Sequence, residues 1–216
     1  MPALLRTFLS GLLIVNLTIV PVVAAPPRPL GVVIQAERAR LGAGPAIEGA
    51  TIFNGDTLAT DATGNVRVRL GGAQLYLTAN STAVLLETPD GVRAELRSGT
   101  VVFSSTGDKA IELRASEARI RPRTLLPTLA QVTLVGPYEL LLTCQRGELE
   151  VTIGDEIHAV LEGTSYRVFI EPEVPNPQGG PPKRAARSRI LLTTLIAIGV
   201  VTGVSIGLAL MSPDRP

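Results

Sequence analysis

The side chains able to do chemistry are few and dispersed. The one histidine, His158, lies in the alternating run EIHAVLE. A metal site or a histidine-based acid–base set needs further ligands or partners converging on it, so a lone imidazole on a strand reads as a surface or half-buried residue. Glu148 and Glu150, in GELEVTIGDE, are two positions apart, and the strand period of two places both carboxylates on one face. A glycosidase dyad would need such a pair, but two acids on an outward sheet face are far more often solvation. Cys144 is the single cysteine, which rules out an intramolecular disulfide. Within ELLLTCQ it reads as a buried, inert apolar residue, with an intermolecular bridge as the alternative. There is no G-x-S-x-G elbow, P-loop or C-x-x-C, and the GAG at 42–44 lacks the third glycine and the strand-to-helix setting of a dinucleotide site. The expectation is a protein that is not an enzyme, with no catalytic residue, no metal site and no cofactor.

The elements that would position any site are β-strands. From 31 to 172, short alternating runs recur about every ten residues, the pattern of an all-β sandwich or roll of antiparallel strands. NVRVRL puts Val66, Val68 and Leu70 on one face and Arg67 and Arg69 on the other. Alternation likewise points Leu75, Leu77, Val101, Phe103, Ile111, Leu113, Leu149 and Val151 inward. Turn signals separate the runs: Asn54-Gly55-Asp56, Thr63-Gly64-Asn65, Gly71-Gly72, Ser98-Gly99 and Gly154-Asp155. The proline-punctuated RPRTLLPTLA divides a first strand set (31–122) from a second (131–172). LRSGTVVFSSTGDKAIEL and CQRGELEVTIGDEIHAVL form a weak internal repeat in which Gly99 matches Gly147, attributable to shared hairpin geometry. Charge is uneven: seven basic residues lie between Arg93 and Arg123, whereas eight acids face two arginines from Tyr138 to Glu173. Two solvated sheet faces would explain this; so would an electrostatic docking surface for a partner or between protomers.

The ends of the 216-residue chain predict a different environment. Residues 1–25 have the positive start, apolar core and small-residue exit of a secretory signal. Residues 173–189 form a Pro-rich basic linker that favours extended chain. Residues 190–211 carry no charge and, as a helix, would span roughly 33 Å, enough to cross a bilayer. Gly199, Gly203 and Gly207 recur every fourth residue on that helix, a stripe suited to close packing of two copies in a homodimer. A short tail, 212–216, follows. Export of the β domain with the tail inside is expected, although the basic cluster 183–189 then lies outside, against the usual positive-inside bias. Membrane lipid is an expected partner. A formal net charge of +1 lacks the concentrated basic footprint of a nucleic-acid binder.

Gly55-Asp56-Thr57-Leu58-Ala59-Thr60, the alternating run 65–70, the turn Gly71-Gly72, Asn80-Ser81-Thr82 and Leu96-Arg97-Ser98-Gly99-Thr100-Val101 together resemble the FecR-like domain, named for the ferric citrate regulator. Their order and spacing carry the resemblance, which covers roughly 31–121. It implies a periplasmic all-β module that binds other envelope proteins. The family's Asp-Gly-Ser turn is replaced by Gly71-Gly72-Ala73, which removes the bracing aspartate. Regulators of the family place an anti-sigma segment before the membrane span, and here that position holds only the signal-like stretch. The expectation is a membrane-tethered binding or scaffold domain on the outer face of the inner membrane. The alternative is a signalling subunit that relays partner binding through its span, which the short tail disfavours.

Overall fold

The computed structural model describes residues 28–106 and 110–170, together with the backbone of 191–195. The expected signal segment 1–25, the linker 173–189, the Gly199–Gly203–Gly207 stripe and the tail 212–216 lie outside the described residues. Every regular element is a strand: β1 (Pro29–Leu41), β2 (Gly44–Pro45), β3 (Thr51–Phe53), β4 (Thr57–Leu70), β5 (Ala73–Leu77), β6 (Thr82–Thr88), β7 (Gly91–Ser105), β8 (Ala110–Ala115), β9 (Ala118–Pro122), β10 (Thr128–Gly136), β11 (Glu139–Arg146), β12 (Leu149–Ile153), β13 (Glu156–Val160), β14 (Ser165–Phe169) and β15 (Leu191–Leu195). The all-β expectation is met.

Three long strands change partners along their length and so join two ladders. The first half of β7 pairs with β6 and β8, and its second half with β5 and β10. Likewise β4 pairs with β6 through Thr57–Ala59 and with β5 through Val66–Leu70. β1 pairs with β4 from Val32 to Leu41, with register shifts between Val33 and Gln35 and between Glu37 and Ala39, and also with β3 through Pro29–Val32 and with β2 through Arg40–Leu41. One ladder therefore continues through β8, β9, β12 and β13, and the other through β10, β11 and β14. Only β7–β8 is parallel among the described pairs.

One apolar cluster lies beneath both ladders and contains all eleven residues predicted to point inward. Phe103 is the only aromatic fully buried among the described residues. The core is thus built from Val, Leu and Ile, each contributing about 1.5–3 kcal/mol on burial.

Three local expectations are corrected. Thr63-Gly64-Asn65 is not a turn, because β4 runs through it. Gly64 is where β1 and β4 press together: a Cβ there would lie 2.9 Å from Glu37 O and nearer still to Arg38 O. Ser98-Gly99 is not a hairpin either. β7 continues through Gly99 and bends there from one ladder to the other. Finally, Leu191–Leu195, expected to begin a membrane helix, is extended and pairs antiparallel with β14, from Phe169↔Leu191 to Ser165↔Leu195. β14 is otherwise the outermost strand of its ladder, and its unpaired N–H and C=O groups favour an added strand. No helix among the described residues is long and apolar enough to cross a membrane.

Candidate functional site

The glycine–aspartate motif is a structural stitch. Gly55 takes φ +88° in the turn between β3 and β4, and Asp56 Oδ2 accepts the Phe53 N–H at 2.8 Å. The Gly55 N–H donates to Leu85 O at 2.8 Å, and the Leu85 N–H to Asp56 O at 2.9 Å. The Glu87 N–H donates to Asn54 Oδ1 at 2.8 Å. These bonds fasten the turn to β6. At the next turn, Gly71 has φ +63°. The missing aspartate has a substitute, since the Thr106 hydroxyl donates to Gly72 O at 2.9 Å.

The remaining motif residues meet where β7 crosses between ladders. Thr60 and Ser81 are buried. The Ser81 N–H donates to Thr60 Oγ1 at 2.9 Å, the Thr60 N–H to Ser81 O at 2.9 Å, and the Thr60 hydroxyl faces the carbonyls of Thr78 and Ser81. Ser81 Oγ accepts the Thr100 N–H at 2.9 Å and reaches Thr100 O at 3.1 Å. Gly99, at φ +81°, lies against this hydroxyl. The second member of the internal repeat reproduces the device: Gly147 has φ +80°, and Thr128 Oγ1 stands 2.8 Å from where its Cβ would be. Thr128 Oγ1 donates back two residues to Leu126 O at 3.1 Å, as Ser81 Oγ reaches Ala79 O at 3.2 Å. The repeat therefore shares a clasped crossing of the chain at Gly99 and Gly147, while the hairpin its glycines suggest forms in the second member, where Gly154-Asp155 joins β12 to β13, and not in the first, where β7 and β8 pair in parallel.

The residues singled out for chemistry are engaged separately. His158 Nε2 lies 3.4 Å from Glu156 Oε2. Glu148 pairs with Arg123 at 3.5 Å and Glu150 with Arg121 at 2.6 Å, so the two acids are neutralised across β9–β12. Glu139 likewise pairs with Arg167 across β11–β14. The basic set from Arg93 to Arg123 and the acidic set from Tyr138 to Glu173 thus meet, in part, inside one sheet. Cys144 is buried; desolvation, aided by the nearby Glu162 carboxylate, pushes its thiol up to about 11. Among the described residues, no group of three or more His, Cys, Asp or Glu side chains gathers as a metal site would require.

One concavity of about 480 Å³ opens at the crossing, lined by Glu95, Leu96, Arg97, Arg114, Ser116, Leu134 and Pro137. Its origin is topological. β8 follows β7 in parallel only as far as Leu96↔Ala115, and β10 takes over at Gly99↔Leu134. Along Arg97 and Ser98 neither strand covers that side of β7. The rim is tied by Ser116 Oγ, which donates to Pro137 O at 3.0 Å, and Ser116 itself turns at φ +52°. Sequence reasoning missed this place because its residues belong to three segments whose meeting depends on the parallel pairing of β7 and β8.

No protein-family profile matches the chain, and neither does any curated protein. Solved structures do resemble it. A candidate anti-sigma factor from Parabacteroides distasonis, solved at 1.65 Å, aligns with 70% of this chain and 64% of its own length, at 16% identity and a TM-score of 0.50. A second structure of that description, solved at 2.50 Å, aligns with 64% of this chain and 59% of its own, at 15% identity and a TM-score of 0.48. The chain thus spans about three fifths of the length of these structures, and what the first shares with it is the fold.

Proposed function

We propose that this chain is a FecR-like β module, tethered at the bacterial inner membrane, that binds envelope proteins and serves as a scaffold on the periplasmic face. The observation that carries this reading is the convergence of the motif residues. Gly55 and Asp56 fasten one turn to β6, while Thr60, Ser81 and Gly99 clasp the crossing of β7. The quoted motif is therefore a framework for building a surface, within a fold similar to that of a candidate anti-sigma factor. The apolar stretch that follows the β14-paired Leu191–Leu195 would supply the tether, with Gly199, Gly203 and Gly207 as the face on which two copies pair. Pairing would present two β domains together and raise the effective concentration for a repetitive partner.

The fold likeness also favours a second reading, a signalling subunit that relays partner binding through the span. Site-directed photo-crosslinking of the intact membrane-bound protein, with the probe on the outward face of β5 or β10, tests the main proposal. Capture of a discrete envelope protein is expected. Capture of lipid alone, from every position, would refute the binding role. A Gly203→Ile change that leaves self-association intact would remove the paired span.

A further inference from the structure

We propose that the crevice between β7, the β8–β9 turn and the β10–β11 turn is the partner-binding site of this module, and that its ligand is a short extended peptide segment bearing carboxylate side chains. This rests on the protein-binding reading above and names where and what it binds. The crevice has an apolar floor and a cationic rim: Leu96, Leu134 and Pro137 line it together with Arg97 and Arg114. Its volume of about 480 Å³ lies within the usual range for a ligand site, about 300–1,000 Å³, and suits a few residues of extended chain.

The electrostatics favour an acidic ligand. Glu112 is the carboxylate paired with Arg114, at 3.4 Å, but it is also claimed by Arg93 at 2.7 Å and Arg119 at 3.6 Å. One carboxylate cannot neutralise three guanidiniums, and Arg93 holds it most closely. Arg97 is exposed and makes no ion pair among the described residues. Glu95 is the one acid in the lining, against two arginines. By contrast, Arg121 and Arg123 on the neighbouring β9 segment each have an acid of their own. The excess positive charge therefore lies at the crevice, where planar guanidiniums can each take a carboxylate through two parallel N–H bonds. The backbone adds to this. β7 has no ladder partner on the crevice side at Arg97 and Ser98, so an extended segment can lie along that short exposed edge.

The test is fluorescence anisotropy of the purified full chain in detergent, with a labelled Glu-rich peptide as probe. A peptide of the same length with Gln in place of Glu, inorganic phosphate and anionic phosphatidylglycerol vesicles serve as competitors. Saturable binding of the Glu peptide is expected. It should weaken about tenfold or more in the double variant Arg97→Ala, Arg114→Ala and stay unchanged in Arg40→Ala, a basic surface residue elsewhere. Arg97→Ala alone, an exposed position whose loss should leave the fold intact, is expected to weaken binding several-fold, which separates loss of the site from loss of folding. Equal binding by the double variant and the parent would overturn the proposal. So would binding of the Gln peptide as tight as that of the Glu peptide, or full displacement by phosphate or vesicles at concentrations equal to the peptide. Crosslinking to an envelope protein that persists in the double variant would refute this site and leave the binding role standing. Arginine-dependent peptide binding with no envelope protein captured would do the reverse.

Discussion

Replacing Gly99 by alanine separates two costs that the fold combines at one residue. Gly99 sits at φ +81°, where an L-residue is disfavoured by about 1–2 kcal/mol. Its added methyl would also stand 2.5 Å from Asn80 O and 2.6 Å from Ser81 Cα, and closer still to Ser81 Oγ. Two of these neighbours belong to backbone, so β7 or the Asn80–Ser81 segment has to move. Movement breaks the 2.9 Å bond from the Thr100 N–H to Ser81 Oγ, and a buried polar group left unsatisfied costs about 1–3 kcal/mol. The expected loss is therefore about 2–5 kcal/mol. Gly55→Ala is the control: φ is +88°, but nothing lies within 4 Å of the added Cβ, so only the conformational cost of about 1–2 kcal/mol applies. Urea unfolding of a fragment spanning 26–172, followed by far-UV circular dichroism, measures both. Adding Ser81→Ala to Gly99→Ala should not rescue, because Asn80 O and Ser81 Cα remain in place. Equal losses for the two glycine variants, or rescue by Ser81→Ala, would refute the close-approach account.

Val68, fully buried in β4, should not tolerate aspartate: an unpaired buried charge costs several kcal/mol, and a fragment lacking cooperative unfolding is expected. Arg67→Asp, which alternation alone treats as nearly neutral, should cost about 1 kcal/mol, because the guanidinium lies 5.7 Å from the Tyr76 ring centroid. Arg121→Glu and Glu150→Arg should each destabilise, and the double swap should recover part of the loss in a double-mutant cycle, since the pair spans β9–β12 at 2.6 Å. Cys144 makes stability pH-dependent at the alkaline end. Its folded thiol is raised from 9.0 to about 11, so its contribution is fully present below pH 9 and is lost as pH rises from about 9 to 11, by order 2–3 kcal/mol. Denaturant midpoints across that range should fall for the parent and stay flatter for Cys144→Ala.

The sequence by itself determined the class of fold and the identity of the core. Period-two alternation depends only on neighbouring residues, and a strand side chain has just two faces to choose between; hence Val66, Val68, Leu75, Phe103 and Leu149 could be assigned inward without coordinates. It also located the special glycines, because positive φ, as at Gly55, Gly71 and Gly99, or close backbone approach, as at Gly64, restricts residue type. What those glycines do was decided by tertiary structure. Gly64 and Gly99 carry the same turn signature as Gly55 and Gly71, yet they sit inside continuous strands, where packing against Arg38 and Ser81 leaves no room for a Cβ. Long-range pairing decided the rest. Arg121 and Glu150 are 29 positions apart and meet only because β9 and β12 are neighbours. The crevice exists only because β8 leaves β7 before β10 joins it. Alternation fixes which face a side chain takes and carries no information about which strand lies beside it, so the charge pairs and the candidate site became visible only once strand order was known.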